Sequence, residues 1–188
     1  MQANNFLDQF YTIDPHTGNY IVEIALNDYD DIFNSWDSSV YNIRDLDNSL
    51  KKFLVDCAYD IDDRKKIIMR FNMTDEKRDP IMEENIIGGI RNYFNYCIYM
   101  LQQEFSYRKG RALIYVVTSL AFTVTSVYLQ SIVETELLKE IVLLSLTVGG
   151  WVFLWEAFSQ IFIQSSDLRR RRAQYERIRR APIMFNYK

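Results

Sequence analysis

Two long apolar stretches, Leu113 to Val133 and Ile141 to Ile163, constrain the fold of this 188-residue chain more than any other feature of its sequence. As helices they would be about 31 and 34 Å long, enough to cross a hydrocarbon core of about 30 Å. The alternative is two buried helices of a soluble bundle, but such helices usually carry charged residues on a solvent-facing side. The first stretch carries none. The sequence therefore predicts a transmembrane helical hairpin, with Glu134 to Glu140 as its connection.

The charges beside these stretches predict how the hairpin is oriented. The connection contains three glutamates and one lysine. Basic residues lie at the outer ends, namely Arg108, Lys109 and Arg111 before the first stretch, and Arg169, Arg170, Arg171, Arg172, Arg177, Arg179 and Arg180 after the second. Basic flanks remain in the cytoplasm, so both termini are predicted to be cytoplasmic. These residues are also candidates for contacts with lipid head groups, although topology alone explains them.

The distribution of charge also predicts a division into domains. Residues 1–106 contain 19 acidic and 10 basic residues, whereas residues 164–188 contain 2 acidic and 8 basic residues. We expect a cytoplasmic α/β domain over residues 1–106, the hairpin over 107–166, and a basic helix with a final strand over 167–188. Nucleic acid is not expected as a partner, because an acidic domain accompanies the basic tail.

Short-range patterns predict the elements of the first domain. A turn that contains Pro15, the only histidine (His16) and Gly18 separates two runs typical of strands, which favours a β-hairpin. Apolar residues recurring three and four positions apart predict an amphipathic helix further on. The expected elements are strands at residues 9–13, 19–26 and 66–73, and a helix from residue 48 to 59 or 62, capped by Asp47 or Asn48.

A second, much longer helix is predicted to begin at Asp79 and Pro80, which are typical of an N-cap and a first helical position. No proline follows before the end of the first apolar stretch, so this helix is expected to continue to Val133. Gly88 and Gly89 are costly inside a helix. Their presence indicates that another element approaches closely there.

The C-terminal region predicts how the fold is completed. A basic helix is expected from Leu168 to Arg180, followed by a strand at Ile183 to Lys188. Because a strand needs a neighbour, we expect this one to join the N-terminal sheet. The predicted fold class is an α+β membrane protein, with a two-helix transmembrane hairpin and a small cytoplasmic α/β domain whose mixed sheet is completed by the C-terminal strand.

Polar and small residues occupy one face of each predicted membrane helix. In helix packing, small residues permit close approach and hydroxyl groups bridge helices, and we favour this interpretation. The alternative is a water-lined path between several assembled hairpins. The residues are Tyr115, Ser119, Thr123, Ser126 and Gln130 in the first helix, and Ser145, Gly149, Glu156 and Gln160 in the second.

Glu156 is the most informative residue of the second stretch. It lies seven positions from the cytoplasmic end, at a depth of about 10 Å. A carboxylate at the centre of a bilayer costs about 2.5 to 3.5 kcal/mol on insertion scales, so its presence needs a reason. It is either a protonated or hydrogen-bonded packing residue or part of a conduction path.

An acidic and aromatic segment near the N-terminus is a candidate partner or ligand surface, with Asp28, Asp30, Asp31, Trp36 and Asp37 as its candidate residues. Aspartates in such segments usually form turns and helix caps. A hard cation is the alternative, but the glycine and distal glutamate of an EF-hand are missing. We expect no metal and no cofactor.

The two cysteines give no indication of metal binding. Cys57 and Cys97 lack metal-ligand spacing and lie in the part predicted to be cytoplasmic. They are therefore predicted to be reduced thiols with a packing role.

Several short motifs together resemble a group of small prokaryotic two-span membrane proteins with a cytoplasmic N-terminal domain and no assigned activity. The motifs are Trp36-Asp37, Arg44-Asp45-Leu46-Asp47, Gly89-Ile90-Arg91-Asn92-Tyr93, Gly149-Gly150-Trp151-Val152-Phe153-Leu154-Trp155-Glu156 and Ala181-Pro182-Ile183. The resemblance implies a multi-pass protein of the prokaryotic cytoplasmic (inner) membrane, and it implies no mechanism.

Three functions are compatible with these features. The first is a non-enzymatic membrane protein that forms homo-oligomers in the lipid bilayer and scaffolds or recruits a cytosolic protein partner. The second is an oligomeric channel or pore-forming effector, of an antiphage or stress system, gated by its cytoplasmic domain. The third is an enzyme acting on lipid or nucleotide through the aspartates of residues 28–37. It ranks last, because no histidine, phosphate-binding loop or nucleophile accompanies them.

Overall fold

The computed structural model describes residues 6–74, 78–132 and 136–187. Contacts divide the chain into two compact units, which we call the α/β unit (Met1–Tyr99 with Arg171–Lys188) and the helical unit (Met100–Arg170). The elements are β1 (Thr12–Ile13), β2 (Tyr20–Leu26), α1 (Asn48–Asp60), β3 (Ile67–Met73), α2 (Pro80–Ile132), α3 (Glu136–Phe158), α4 (Gln164–Arg180) and β4 (Ile183–Tyr187), with 3-10 turns at Phe6–Gln9 and Tyr29–Ile32 and a π-helical turn at Ser159–Ile163.

The α/β unit is built on a mixed four-stranded sheet in the order β1-β2-β3-β4. β1 and β2 are antiparallel, whereas β2 pairs with β3 and β3 with β4 in parallel. Ile183 aligns with Met69, and Tyr187 aligns with Met73. The predicted mixed sheet and the return of the C-terminal strand to it are both confirmed.

The connection from β3 to β4 contains the whole helical unit. Neighbouring parallel strands require a crossover connection, and this crossover consists of α2, α3 and α4. The sheet is therefore complete only after the chain has passed through the helical unit and returned.

The first strand is shorter than predicted. Residues Phe6–Gln9 form a 3-10 turn, and the N–H groups of Phe10 and Tyr11 both donate to the Leu7 carbonyl. Only Thr12 and Ile13 remain free to pair with β2. The predicted turn that follows is confirmed, with Gly18 at φ 67°, a conformation that favours glycine.

Aspartates cap both long helices of the α/β unit, as predicted. Asp47 accepts hydrogen bonds from the N–H groups of Ser49 and Leu50 at the start of α1. Asp79 Oδ1 accepts from Ile81 and Met82, at 3.0 and 3.1 Å, at the start of α2. α2 then continues to Ile132 without interruption; Val133, the predicted end, lies outside the described residues.

The core of the α/β unit lies between its sheet and the helices that cover it. All three helical segments of the unit contribute, including the end of α4 that returns from the helical unit. Fully buried members are Val22, Met69 and Phe71 from the strands, Leu54 from α1, Ile90 and Phe94 from α2, and Ile178 from α4.

The second apolar stretch and the basic helix are predicted as separate elements, but they form one helical run. α3 continues through the π-helical turn into α4, because no proline or glycine lies between Gly150 and Pro182. Two helical runs, Pro80–Ile132 and Glu140–Arg180, are long and apolar enough to cross a membrane.

The predicted close approach at the glycine pair of α2 is confirmed at one glycine. A Cβ atom on Gly89 would overlap the Tyr41 carbonyl oxygen and lie 3.3 Å from the Phe33 ring, whereas a Cβ on Gly88 would meet nothing within 4 Å. Gly89 is therefore required for packing, and Gly88 is not.

This difference predicts opposite effects of the same substitution at adjacent positions. Gly88→Ala should raise the free energy of unfolding by up to about 1 kcal/mol, because alanine is the better helix former. Gly89→Ala should lower it by about 1 to 3 kcal/mol through overpacking against the backbone. Thermal unfolding of the two purified variants checks the prediction, and equal shifts for both would contradict it.

Candidate functional site

The helical unit holds its two long helices together through small residues. Ser119, which is buried in α2, donates a hydrogen bond of 2.7 Å to the Gly150 carbonyl in α3. A Cβ on Gly149 would lie 2.8 Å from the ring of Phe122. That ring in turn makes an edge-to-face contact with Phe153 at 5.4 Å. The glycine pair therefore permits the close packing of α2 on α3.

The predicted polar face of α2 lines a groove of about 380 Å³ along this helix pair. The α3 wall of the groove differs from the predicted one, because Ser145, Gly149, Glu156 and Gln160 are not part of it. Ser119, Thr123, Ser126 and Gln130 line one side, and Thr147, Gly150, Trp151 and Leu154 line the other.

Several hydroxyl groups of the two helices bond to their own backbone. Thr123 donates to the Ser119 carbonyl at 3.0 Å, Ser145 donates to Ile141 at 2.7 Å, and Thr147 donates to Leu143 at 2.8 Å. Such bonds satisfy hydroxyl groups in an apolar environment. Ser145 is exposed, although its predicted face was expected to meet that of α2.

Glu156 and Gln160 lie side by side where α3 meets the π-helical turn. Gln160 Nε2 donates to Glu156 Oε1 at 3.0 Å, and Gln160 is only 4% exposed. Its Oε1 is buried without a hydrogen-bond partner among the described residues. Ser165 donates to the Gln160 carbonyl at 2.7 Å. The π-helical turn thus concentrates polar groups at one point of an apolar helix, and such turns are frequent at functional sites.

The basic residues before the first apolar stretch make local contacts in the helical unit. Arg108 donates to the Gln164 carbonyl at 2.8 Å and pairs with Glu104 at 2.6 Å. Lys109 lies over the ring of Phe105, while Arg111 donates to the Tyr115 hydroxyl at 3.3 Å. Arg108 is therefore a bridge between the two helical runs as well as a positive charge.

The four consecutive arginines of α4 are exposed. Arg172 forms an ion pair of 3.0 Å with Glu176, one helical turn further on. Arg169, Arg170 and Arg171 also lie on the surface. Their exposure is compatible with contacts to anionic groups outside the chain.

Arg177 has a structural role that the sequence did not reveal. Its guanidinium group donates to the carbonyls of Ala58, Ile61, Asp62 and Lys65, to Asp63 Oδ1 at 3.1 Å, and to Gln174 Oε1. Burial lowers the pKa of this guanidinium. Arg177 therefore fixes the end of α1 and the following loop to α4. Apart from Gln174, its partners lie more than a hundred positions upstream, so no local signal could have identified it.

The aspartates of the acidic and aromatic segment form hydrogen bonds and ion pairs within the fold. Asp28 and Asp31 form a capping box at the Tyr29–Ile32 turn. Asp30 accepts from Tyr41 at 2.8 Å and pairs with Arg44 at 2.7 Å. The predicted role in caps and turns is confirmed for Asp28 and Asp31, whereas the Asp30 carboxylate binds side chains.

Asp37 and Trp36 occupy the loop beyond this turn. Asp37 accepts hydrogen bonds from the N–H groups of Asp45 and Ser39, at 2.8 and 3.0 Å. These bonds lower the pKa of the Asp37 carboxyl to about 2, and the bond from Asp45 has the largest effect. Trp36 is 93% exposed on this fixed loop. Bonds within the fold explain the aspartates of the candidate surface. They do not explain the exposed side chain of Trp36.

The two cysteines and the histidine lie in places that indicate a role in the fold. Cys57 is buried and Cys97 is half-buried, both are free thiols, and burial raises the pKa of each. His16 lies in the turn before β2, where its N–H donates to Asp14. Within the described ranges, no group of three or more histidine, cysteine or acidic residues is placed to hold a metal ion.

Comparison of the chain with protein-family models, with curated proteins and with solved structures gives no match. Function is therefore inferred from the residues described above.

Proposed function

We propose that this chain is a non-enzymatic integral membrane protein of the prokaryotic cytoplasmic membrane. In this proposal its hairpin crosses the bilayer, self-associates, and holds the α/β unit at the cytoplasmic surface as a scaffold for a cytosolic protein. Both termini lie in the cytoplasm.

The observation that carries the proposal is the exposure of the apolar helices. Only 17% of the most apolar part of α2 is buried within the chain. For the most apolar part of the helical run Glu140–Arg180, the buried share is 11%. A core helix of a soluble protein would bury most of its apolar face. Large apolar side chains instead point outward along both helices, among them Leu113, Val117, Leu120, Val124, Leu144, Val148 and Val152. Acyl chains are a suitable environment for such a surface.

Self-association is supported by the polar groove of the helical unit. Lipid tails offer no hydrogen bonds to Ser126 or Gln130, which line the groove, whereas another helix does. Trp151, at the opposite wall, is 69% exposed in the single chain. A neighbouring hairpin would cover these groups.

Recruitment of a cytosolic partner is supported by Trp36. Exposed tryptophans on rigid loops are frequent anchors of protein interfaces, because they bury much area at little entropic cost. Hydrogen bonds that the Asp37 carboxylate accepts from the N–H groups of Ser39 and Asp45 fix the loop on which Trp36 lies.

The proposal is tested by counting subunits of the full-length protein in lipid nanodiscs. We expect a defined oligomer, and Gln130→Leu with Ser126→Ala should lower the subunit count because the groove loses its interhelical hydrogen bonds. Val124→Ala, on the exposed apolar surface, is the matched control and should leave the count unchanged. A monomeric wild-type protein would contradict the proposal.

A channel is the second candidate, favoured by Glu156 and by Gln160 Oε1, which has no hydrogen-bond partner in the described part of the chain. In the same reconstitution, planar-bilayer recordings separate the two functions. A scaffold gives no reproducible current from the wild type. A channel gives a cation-selective current that Glu156→Gln changes, because the ring of carboxylates is lost, and that the control Glu140→Gln leaves unchanged.

A further inference from the structure

We infer that β4 is a self-pairing edge, through which the sheets of two copies of this chain join into one eight-stranded sheet. This inference rests on the proposed self-association, which brings copies together in the membrane, and it identifies a second contact between them.

The free edge of β4 follows from the direction of its backbone groups. Met69 N–H donates to the Pro182 carbonyl at 2.9 Å, so the backbone carbonyl of Pro182 points toward β3. Successive residues of a strand direct their backbone groups to alternate sides. The backbone groups of Met184 and Asn186 therefore also point toward β3. The backbone groups of Ile183, Phe185 and Tyr187, three N–H and three C=O groups, point to the other side. Among the described strands, β4 is the last of the sheet on this side.

The opposite edge of the sheet is protected, whereas the β4 edge is not. β1 covers the first residues of β2, and β2 also carries the charged Glu23. Charged residues and short covering strands are the usual devices that prevent edge pairing. β4 contains neither charge nor proline over Ile183–Tyr187.

The spacing of the free groups matches a second copy of the same strand. In an antiparallel pair centred on Phe185, Ile183 faces Tyr187 of the other copy, Phe185 faces Phe185, and Tyr187 faces Ile183. All six free groups of each strand then obtain partners in three hydrogen-bonded pairs. A two-fold pairing of this kind closes as a dimer and does not propagate into fibres.

The exposed face of β4 provides a test that reads the register itself. Met184, which is 46% exposed, would lie opposite Asn186 of the other copy in a non-hydrogen-bonded pair, with Cα atoms about 4.5 Å apart. Met184 of the two copies would be about 8 Å apart, beyond the reach of a disulfide.

The experiment mixes full-length Met184→Cys and Asn186→Cys chains, carrying different tags, in nanodiscs under mild oxidation. We expect the disulfide-linked heterodimer to form roughly ten-fold or more above the homodimers of either variant alone. The wild-type chain, with only Cys57 and Cys97, measures the background.

A charge exchange provides the second measurement, with fluorophores placed after Lys188. Met184→Lys with Asn186→Lys places like charges opposite each other and should lower energy transfer between copies, whereas Met184→Lys with Asn186→Glu should retain it. An oligomer by subunit count that shows neither the mixed disulfide nor this difference would overturn the inference alone. A monomer would overturn the proposed function.

Discussion

Replacing Arg177 with methionine is expected to lower the free energy of unfolding of the α/β unit by about 3 kcal/mol, because several part-buried backbone carbonyls lose a charged hydrogen-bond donor. Methionine retains the packing of the side chain but leaves the carbonyls of Ala58, Ile61, Asp62 and Lys65 without their donor. Arg177→Lys should recover only part of the loss, because an ammonium has three donors and lacks the planar fork.

Thermal unfolding of the full-length protein measures this effect, with Arg180→Met as the matched control. The Arg180 side chain is 71% exposed, and its ion pair with Glu176 is long, at 3.4 Å. Exposed pairs of this kind contribute at most about 1 kcal/mol. Equal shifts of the melting temperature for Arg177→Met and Arg180→Met would show that Arg177 does not stabilise the fold and acts only as a basic residue that orients the membrane helices.

Deletion of residues 183–188 is expected to unfold or aggregate the α/β unit. The deletion removes β4 and exposes the edge of β3 from Met69 to Met73. It also removes the stacking of Phe185 on Phe71 at 5.4 Å. Because β4 is the neighbour of β3 on this side of the sheet, its loss leaves a core strand as an unprotected edge.

The last residue of β4 makes a smaller, separable contribution. Tyr187 donates to Glu83 at 2.6 Å, and its hydroxyl lies 2.5 Å from that of Tyr29. Size-exclusion chromatography and thermal unfolding should show an aggregated or unfolded truncated chain and an intact Tyr187→Phe variant, destabilised by about 1 kcal/mol. A truncated chain that keeps its melting temperature and elutes as one species would show that β4 is dispensable.

Features encoded by neighbouring residues were predictable from the sequence. Asp79 followed by Pro80 marks the start of α2, and the alternation in Tyr20–Leu26 marks β2, because caps and strand periods depend on adjacent positions. The return of β4 also followed from a local fact, since an isolated strand has no partner for its backbone.

Features that depend on distant contacts were not predictable. Gly88 and Gly89 are adjacent glycines that nothing in the local sequence tells apart. In the structure, the position of Tyr41 distinguishes them. The π-helical turn after Phe158 has no proline or glycine to signal it. In the candidate site, the polar face of α2 was predicted, but its neighbours across the groove depend on the rotation of α3, which the sequence pattern does not fix.

The labelling of introduced cysteines in intact cells, measured above the wild-type background of Cys57 and Cys97, tests the predicted membrane hairpin most directly. Thr135→Cys lies in the connection between the two helices, whereas Asn4→Cys and a cysteine added after Lys188 mark the termini. A membrane-impermeant maleimide should label Thr135→Cys from outside, and the two terminal cysteines only after the membrane is permeabilised. Labelling of the termini from outside, or protection of Thr135→Cys until permeabilisation, would contradict a hairpin with both termini in the cytoplasm.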